Sequence, residues 1–317
     1  IGMISSFIGL TMLILAPNYS MILVSVLFLG LGSAVFHPEG SRVSFMAAGN
    51  KRGLAQSIYQ VGGNSGQALA PLISAFLILP FGMYGASFVL ILTAIGIFML
   101  TKIAIWYRKQ LEEEKLSKVK KVLVSSLPPL TKKQVGIALS LLLVIIFARS
   151  FYVTNITNFY VFYLIQEYGL TIEKGQLLIF LFMACGVVGT FFGGSLSDRI
   201  GRKNVILLSV VVPIPLCLAL PYVPLWLVVI LLIVIGSLIM ISFSVTVVYA
   251  QELVPTKIGT MAGLTVGLAF GMGAIGSVLI GILMDKIGIE TTMMIISVLP
   301  ILMLVALALP RDQVAKV

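Results

Sequence analysis

The chain has 317 residues, of which 59% are hydrophobic and only 10% are charged, and its mean hydropathy is +1.14. A water-soluble domain needs far less apolar sequence for its core, so lipid must cover much of this surface. The net charge of +10 does not indicate nucleic acid, because the basic residues fall between apolar runs and form no face with interleaved aromatics. Cys185 and Cys217 lie far apart inside apolar runs, so we expect no disulfide framework, no metal site and no cofactor.

Ten apolar segments are long enough to span a bilayer, since about 20 helical residues cross roughly 30 Å of hydrocarbon. Turn residues such as Pro17-Asn18 and Pro255-Thr256 separate them. Backbone polar groups within lipid must be paired inside their own segment, so we predict an all-α polytopic membrane protein. The predicted spans are 1–16, 20–45, 53–78, 83–106, 135–165, 173–197, 203–221, 224–250, 258–283 and 290–309.

The basic residues predict the orientation of these spans. If the first span runs outward, 18 of the 21 Lys and Arg residues fall on one side, and the exceptions are Arg149, Lys174 and Lys286. Loops rich in Lys and Arg stay in the cytoplasm. We therefore predict a multi-pass protein of the inner (plasma) membrane, with the C-terminus and the central connector in the cytoplasm.

One long hydrophilic stretch, residues 107–133, divides four predicted helices from six. One large class of transporters is built from two six-helix halves. We therefore predict a remainder of the N-terminal bundle at 1–106, a basic cytoplasmic connector at 107–133 and a six-helix bundle at 134–317. Because the sequence opens on Ile1 inside an apolar stretch, we expect two further helices of the first half to precede it.

A short loop with the sequence GSLSDRIGRK, residues 194–203, joins two predicted spans. Gly194 would permit close helix approach, and Gly201 a tight turn. Asp198 could accept from free N–H groups at a neighbouring helix N-terminus, and Arg202 could clamp Glu252. The alternative is an ordinary basic loop. The candidate gating residues are Gly194, Asp198, Arg199, Gly201, Arg202 and Glu252.

The spacing G-x-L-x-D-R-x-G-R-K resembles the cytoplasmic loop signature of the major facilitator superfamily. Three further segments, 36–43, 55–64 and 249–253, resemble a drug exporter of that superfamily. The resemblance implies a two-bundle fold of twelve helices, of which the first two are absent here, with alternating access and proton-coupled export of a small anionic drug such as a phosphonate antibiotic. Proton-coupled uptake of an organic anion is the alternative.

The expected partners are a small-molecule substrate, protons and the lipid bilayer, and we expect a monomer. An enzyme is not expected, because the sequence has one histidine and no H-E-x-x-H motif. A receptor or scaffold that does not transport is a further alternative.

His37, Glu39 and Arg42 lie inside a predicted span, where ionisable groups are usually functional. Pro38 removes a helix donor and Gly40 loosens the next turn, so we predict a break there that faces the interior. The alternative is that these residues mark the cytoplasmic end of the helix. We interpret His37, Glu39 and Arg42 as candidate proton or substrate sites, and Glu39 and Arg42, three residues apart, can also pair on one face.

Arg149 is placed near the middle of its predicted span, where its charge must find an anion or a water-filled cavity. A guanidinium binds carboxylate or phosphonate with two parallel hydrogen bonds. We predict that Arg149 anchors the anionic part of a substrate, with Tyr152 one turn away and the protonation of Glu39 coupled to binding. The alternative is a permanent ion pair that joins two helices.

Four amides recur on one face of a single predicted helix. They are separated by four, four and three residues, and are Gln56, Gln60, Asn64 and Gln67. Such amides either line a cavity or hydrogen-bond neighbouring helices together.

Overall fold

The computed structural model describes residues 2–73, 77–116 and 130–312, which are helical and contain no β-strand. Short 3-10 segments occur at Gly82–Ala86, Leu220–Tyr222, Pro255–Lys257 and Leu299–Ala308. The α-helices are α1 Gly2–Ile14, α2 Tyr19–Ala47, α3 Arg52–Ile73, α4 Leu79–Phe81, α5 Ser87–Leu116, α6 Lys132–Asn158, α7 Tyr160–Tyr168, α8 Ile172–Ile200, α9 Arg202–Val211, α10 Pro213–Ala219, α11 Leu225–Met240, α12 Phe243–Leu253, α13 Ile258–Ile287 and α14 Ile289–Val298.

Each of the ten predicted spans is helical in its described residues, which confirms the predicted all-α membrane fold. Within the described residues, eight helical stretches are long and apolar enough to cross a membrane. The remaining two predicted spans are α1, which has 13 residues, and α3, which has 22 residues. The polar side chains that lower the hydropathy of α3 are the amides noted above.

Three predicted spans each contain two α-helices, and one of them, 203–221, divides at Val212 into α9 and α10. The span 135–165 divides at Phe159 into α6 and α7, and the span 224–250 divides at Ile241 and Ser242 into α11 and α12. Neither Pro nor Gly occurs at the division between α11 and α12. This division sets the position of the Ser242 side chain, which contacts the buried arginine described below.

The predicted break at Pro38 is wrong, because α2 continues through this proline. A proline removes one backbone donor and crowds the carbonyl four residues earlier. Helices that cross membranes tolerate this, since neighbouring groups and local adjustments satisfy the freed carbonyl. The helix turns on both sides of Pro38 remain continuous.

The described residues form two compact units. The first comprises those of Ile1–Val43 and Ala70–Val124. Within it, α1 approaches α2 so closely that a Cβ atom on Gly9 would lie 2.8 Å from the carbonyl oxygen of Ser25. Ser5 donates a hydrogen bond of 2.8 Å to the carbonyl oxygen of Phe28.

The second unit comprises the described residues of Ser44–Leu69 and Ser125–Val317, so it includes most of α3. Its described core has two large apolar clusters, the first around Tyr152 and Leu232 and the second around Ile145 and Ile206. A third, small cluster consists of Val247, Ala262 and Val266. The predicted division of the chain at the connector stays a prediction, and residues 117–129 of that connector lie outside the described residues.

Glycines allow α8 to pack closely on α11. A Cβ atom on Gly189 would clash with the carbonyl oxygen of Ser237, and one on Gly193 would clash with that of Ile241. Small residues at helix contacts give this close approach in membranes, where apolar side chains alone give little preference for a partner. The contact fixes the end of α11 beside α8.

Candidate gating and substrate sites

Asp198 lies in the last turn of α8 and binds the N-terminal end of α3. Its carboxylate oxygens accept hydrogen bonds from the backbone N–H groups of Gly53, at 3.0 Å, and Leu54, at 2.9 Å. These donors have no partner inside their own helix, and the positive end of the helix dipole favours a negative charge there. The predicted contact of Asp198 with a helix N-terminus is confirmed.

Arg202, the first residue of α9, joins the partly buried carboxylate of Asp198 to the buried carboxylate of Glu252. Its guanidinium lies 2.8 Å from Asp198 Oδ1 and donates to Glu252 Oε1 at 3.1 Å. It also donates to the carbonyl oxygen of Ser197 at 2.7 Å. The predicted contact between Arg202 and Glu252 is therefore confirmed. On the far side of Glu252, Arg52 lies 3.7 Å from the same carboxylate oxygen.

Close helix approach positions these charges. A Cβ atom on Gly194 would clash with the carbonyl oxygen of Gly53, so α3 and α8 touch through their backbones, as predicted for Gly194. Gly201 has a φ angle of +97°, which confirms the predicted tight turn. Ser57 and Ser244 share a hydrogen bond of 2.7 Å between α3 and α12. We call the set Arg52, Gly53, Asp198, Arg202 and Glu252 the latch.

Sequence reasoning missed two residues here and included one that the latch does not use. Arg52 precedes the glycine at the α3 N-terminus, a position that could have suggested a partner for Glu252. Asp312 accepts from the backbone N–H groups of Arg202, at 2.8 Å, and Lys203, at 2.9 Å. A contact between residues 110 apart has no sequence signal. Arg199 is exposed and forms no ion pair with any described residue.

Arg149, on α6, is buried with 3% of its surface exposed. It donates a hydrogen bond of 3.3 Å to the hydroxyl of Ser242, at the division between α11 and α12. The ring of Phe243 lies 4.9 Å from the guanidinium carbon. Within the part of the chain that the structure describes, no carboxylate pairs with Arg149. The predicted alternative of a permanent ion pair is thus not found among those residues.

Tyr152 lies one turn from Arg149 and is almost completely buried. It packs in the apolar cluster with Ile156 and Cys217. The place of Tyr152 in a substrate site stays a prediction.

The four amides of α3 occupy different surroundings. Asn64 donates a hydrogen bond of 3.1 Å to Thr190 of α8, so it acts as a link between helices. Gln56 and Gln60 are buried, whereas Gln67 is exposed. The cavity-lining role stays a prediction for Gln56, Gln60 and Gln67.

The candidate residues of the first unit lie on α2. The carboxylate of Glu39 is 3.9 Å from the guanidinium of Arg42, so the predicted pair is present in a loose form with both side chains partly exposed. The Arg42 guanidinium carbon also lies 5.9 Å from the ring centre of Tyr107. His37 is partly buried, with its ring edge-on to that of Phe36. Their roles in proton or substrate binding stay predictions.

No group of three His, Cys, Asp or Glu side chains within residues 2–73, 77–116 and 130–312 is arranged to hold a metal ion. The sites so far described are a charged latch at a helix junction and a buried arginine in an apolar helical unit. A family model described as Major Facilitator Superfamily matches residues 1–270. The chain belongs to the major facilitator superfamily.

Two curated relatives within this superfamily cover nearly all of the chain. It is 51% identical over 315 residues to the uncharacterized MFS-type transporter YfnC of Bacillus subtilis (strain 168), and 41% identical over 313 residues to the fosmidomycin resistance protein of Escherichia coli (strain K12). Each alignment covers 99% of this chain and 76% of the relative. The protein is therefore a membrane transporter of small molecules and not an enzyme.

Solved structures share the superfamily fold at low sequence identity. The human organic anion transporter MFSD10 is 14% identical with a TM-score of 0.72, and the match covers 98% of this chain and 75% of that one. The transporter FucP, in the outward conformation, is 17% identical with a TM-score of 0.66, covering 98% of this chain and 82% of that one. At such identities the likeness concerns the fold alone.

Proposed function

We propose that this transporter exports a small anionic drug, such as a phosphonate antibiotic, in exchange for protons. The observation that carries the proposal is Arg149, which is buried and has no carboxylate partner in the described residues. A charge in low-dielectric surroundings attracts an anion strongly and is unfavourable to leave unneutralised. The 41% identity to a protein named for fosmidomycin resistance supports a drug as the substrate.

The surroundings of Arg149 suit an anion with two oxygens in one plane. A guanidinium can donate two parallel hydrogen bonds to a carboxylate or phosphonate, which a lysine cannot do. The Ser242 hydroxyl, 3.3 Å away, can donate a further hydrogen bond to the same anion. The ring of Phe243 lies 4.9 Å from the guanidinium carbon and adds a cation–π contact that leaves N–H donors for the ligand.

The latch stabilises one state of the transport cycle, in which the N-terminal end of α3 is attached to α8 and α12. Asp198 supplies two charge-assisted hydrogen bonds to α3, and Arg202 holds Asp198 and Glu252 together. Alternating access requires the latch to open and close once in each cycle. The strength of the latch therefore sets the rate of the conformational change, while the affinity of the anion site at Arg149, which shares no residue with the latch, is nearly independent of it.

The test of the anion site is transport of a radiolabelled phosphonate in everted membrane vesicles with an imposed proton gradient. The unmutated protein accumulates the phosphonate inside these vesicles. Arg149→Lys retains weak binding because the charge remains while the paired donors are lost, and Arg149→Ala abolishes binding and transport. The matched control is Arg108→Ala, at an exposed arginine whose partner is Glu112.

Two results would contradict the proposal. If Arg149→Ala exported the phosphonate at the unmutated rate, this arginine would not be the anchor. If right-side-out vesicles accumulated the anion instead, the alternative of proton-coupled uptake would replace export.

The test of the latch is Asp198→Asn. This change should slow transport about threefold to tenfold, because about 1 kcal/mol of charge–dipole interaction is lost, and it should leave ligand affinity nearly unchanged.

A further inference from the structure

The segment that follows the last described helical stretch, Leu309–Asp312, lies against the latch. Asp312 places one carboxylate oxygen on the backbone N–H of Arg202, at 2.8 Å, and the other on that of Lys203, at 2.9 Å. These are the first two residues of α9. The arrangement repeats what Asp198 does at the first turn of α3, where a carboxylate also spans two consecutive N–H groups.

Further hydrogen bonds within the second unit hold the segment Leu309–Asp312 in place. Tyr249, which is buried on α12, donates a hydrogen bond of 2.9 Å to the carbonyl oxygen of Pro310. The Lys203 ammonium group donates to the carbonyl oxygens of Leu307, at 3.2 Å, and Leu309. Leu309 itself is buried in the second apolar cluster. Side chains from α9 and α12 thus hold the segment in place.

We propose that Asp312 is a positioning residue of the latch, which orients Arg202 toward Asp198 and Glu252. The inference rests on the proposed role of the latch. Arg202 is held twice, since its backbone N–H binds Asp312 and its guanidinium binds Asp198 and Glu252. With the backbone of its first turn fixed, the side chain of Arg202 begins from one position, so less conformational entropy is lost when it forms its two ion pairs.

Two parallel connections therefore join α9 to α12. One is direct, from the Arg202 guanidinium to Glu252, and the other runs from the Arg202 backbone through Asp312 and Pro310 to Tyr249. Tyr249 and Glu252 are three residues apart on α12 and so lie on neighbouring turns of one face. Removing the Asp312 charge weakens the second connection and, through it, the geometry of the first.

The experiment compares Asp312→Asn and Asp312→Glu with Asp198→Asn in the full chain. Hydrogen exchange reports the amides of Arg202 and Lys203, and the state of the latch is read from the distance between spin labels on Lys51→Cys and Asn204→Cys. Both native cysteines are replaced by alanine in this background. We expect Asp312→Asn to raise exchange at both amides and to increase the unlatched fraction about fivefold. Asp312→Glu, which keeps the carboxylate, should stay close to the unmutated protein in both measurements.

The control is Asp285→Asn, which removes an exposed carboxylate of α13 and should change neither readout. If Asp312→Asn raised amide exchange but left the label distance unchanged while Asp198→Asn lengthened it, Asp312 would be a helix cap only, and the inference would be overturned with the proposed latch intact. If Asp198→Asn also left the distance unchanged, the latch itself would fail and the inference with it. Unchanged exchange in Asp312→Asn would overturn the inference directly.

Discussion

Two buried arginines of the second unit have opposite surroundings. Arg202 contacts the carboxylates of Asp198 and Glu252, and its backbone binds a third, that of Asp312. Arg149 has a serine hydroxyl and an aromatic ring as its neighbours, and no carboxylate in the described residues. The described residues thus neutralise one buried guanidinium from several directions and place no carboxylate beside the other.

This difference separates a holding role from a binding role. Ion pairs that are buried and well hydrogen-bonded fix a specific geometry, as in the latch, and removing one partner leaves an uncompensated charge. A buried cation without such a partner has its attraction available for a ligand.

The largest expected effect is on stability, from Glu252→Gln. Arg52 and Arg202 lose the carboxylate that they share, so the free energy of unfolding should fall by about 3 kcal/mol, as for other broken buried pairs. Reversible unfolding in mixed micelles measures it. The control is Glu112→Gln, which breaks an exposed pair of 3.2 Å with Arg108 and should change stability by less than about 0.5 kcal/mol. Equal shifts would show that the latch pairs matter no more than a surface pair.

Next in size is a change that would make Arg149 resemble Arg202. Ser242→Asp places a carboxylate beside the guanidinium, where the serine oxygen already lies at 3.3 Å. The resulting ion pair should compete with an anionic ligand and weaken its binding about 100-fold, or about 2.7 kcal/mol. Ser242→Asn, which has the same shape without the charge, should keep most of the affinity. Equal phosphonate affinities of the two variants, measured by equilibrium binding, would argue against Arg149 as the anchor.

A smaller effect should come from the glycines that let α3 meet α8. In Gly194→Ala the new Cβ clashes with the carbonyl oxygen of Gly53, so the latched arrangement should lose about 1–2 kcal/mol. Gly62→Ala, on α3 itself, has no atom within 4 Å of its new Cβ and should be tolerated. The distance between the spin labels at Lys51→Cys, just before α3, and Asn204→Cys, on α9, measures the difference. Similar behaviour of the two variants would mean that close backbone contact is not required.

The smallest expected effect concerns the amides of α3. Asn64→Ala removes one hydrogen bond to Thr190 and should lower stability by about 1 kcal/mol or less, with ligand affinity unchanged. The exposed Gln67→Ala should leave stability unaltered. If Asn64→Ala instead reduced ligand binding at full stability, the amide would line the substrate path.

Local sequence patterns were sufficient to predict much of the latch. Three residues at the latch lie within one stretch of eight, and their chemistry indicates their roles. Gly201 permits a turn, Asp198 can cap a helix and Gly194 allows close approach. The partner Glu252 was also predictable, because a carboxylate beside a basic loop at a helix end has few alternatives. Pro38 shows the limit of such reasoning. A helix breaker in water is tolerated in a long membrane helix, and the local pattern contains no information about that environment.

The sequence by itself determined that the chain is a helical membrane protein, where its spans lie and that Arg149 is unusual, because lipid imposes length and polarity limits that composition reveals directly. Only the tertiary structure decided the partners. It divided α11 from α12 at Ser242 without a proline or glycine, placed that hydroxyl on Arg149, and brought Asp312 to the first turn of α9. These contacts join residues 93 and 110 positions apart. Such pairings depend on how helices pack, which local sequence does not specify.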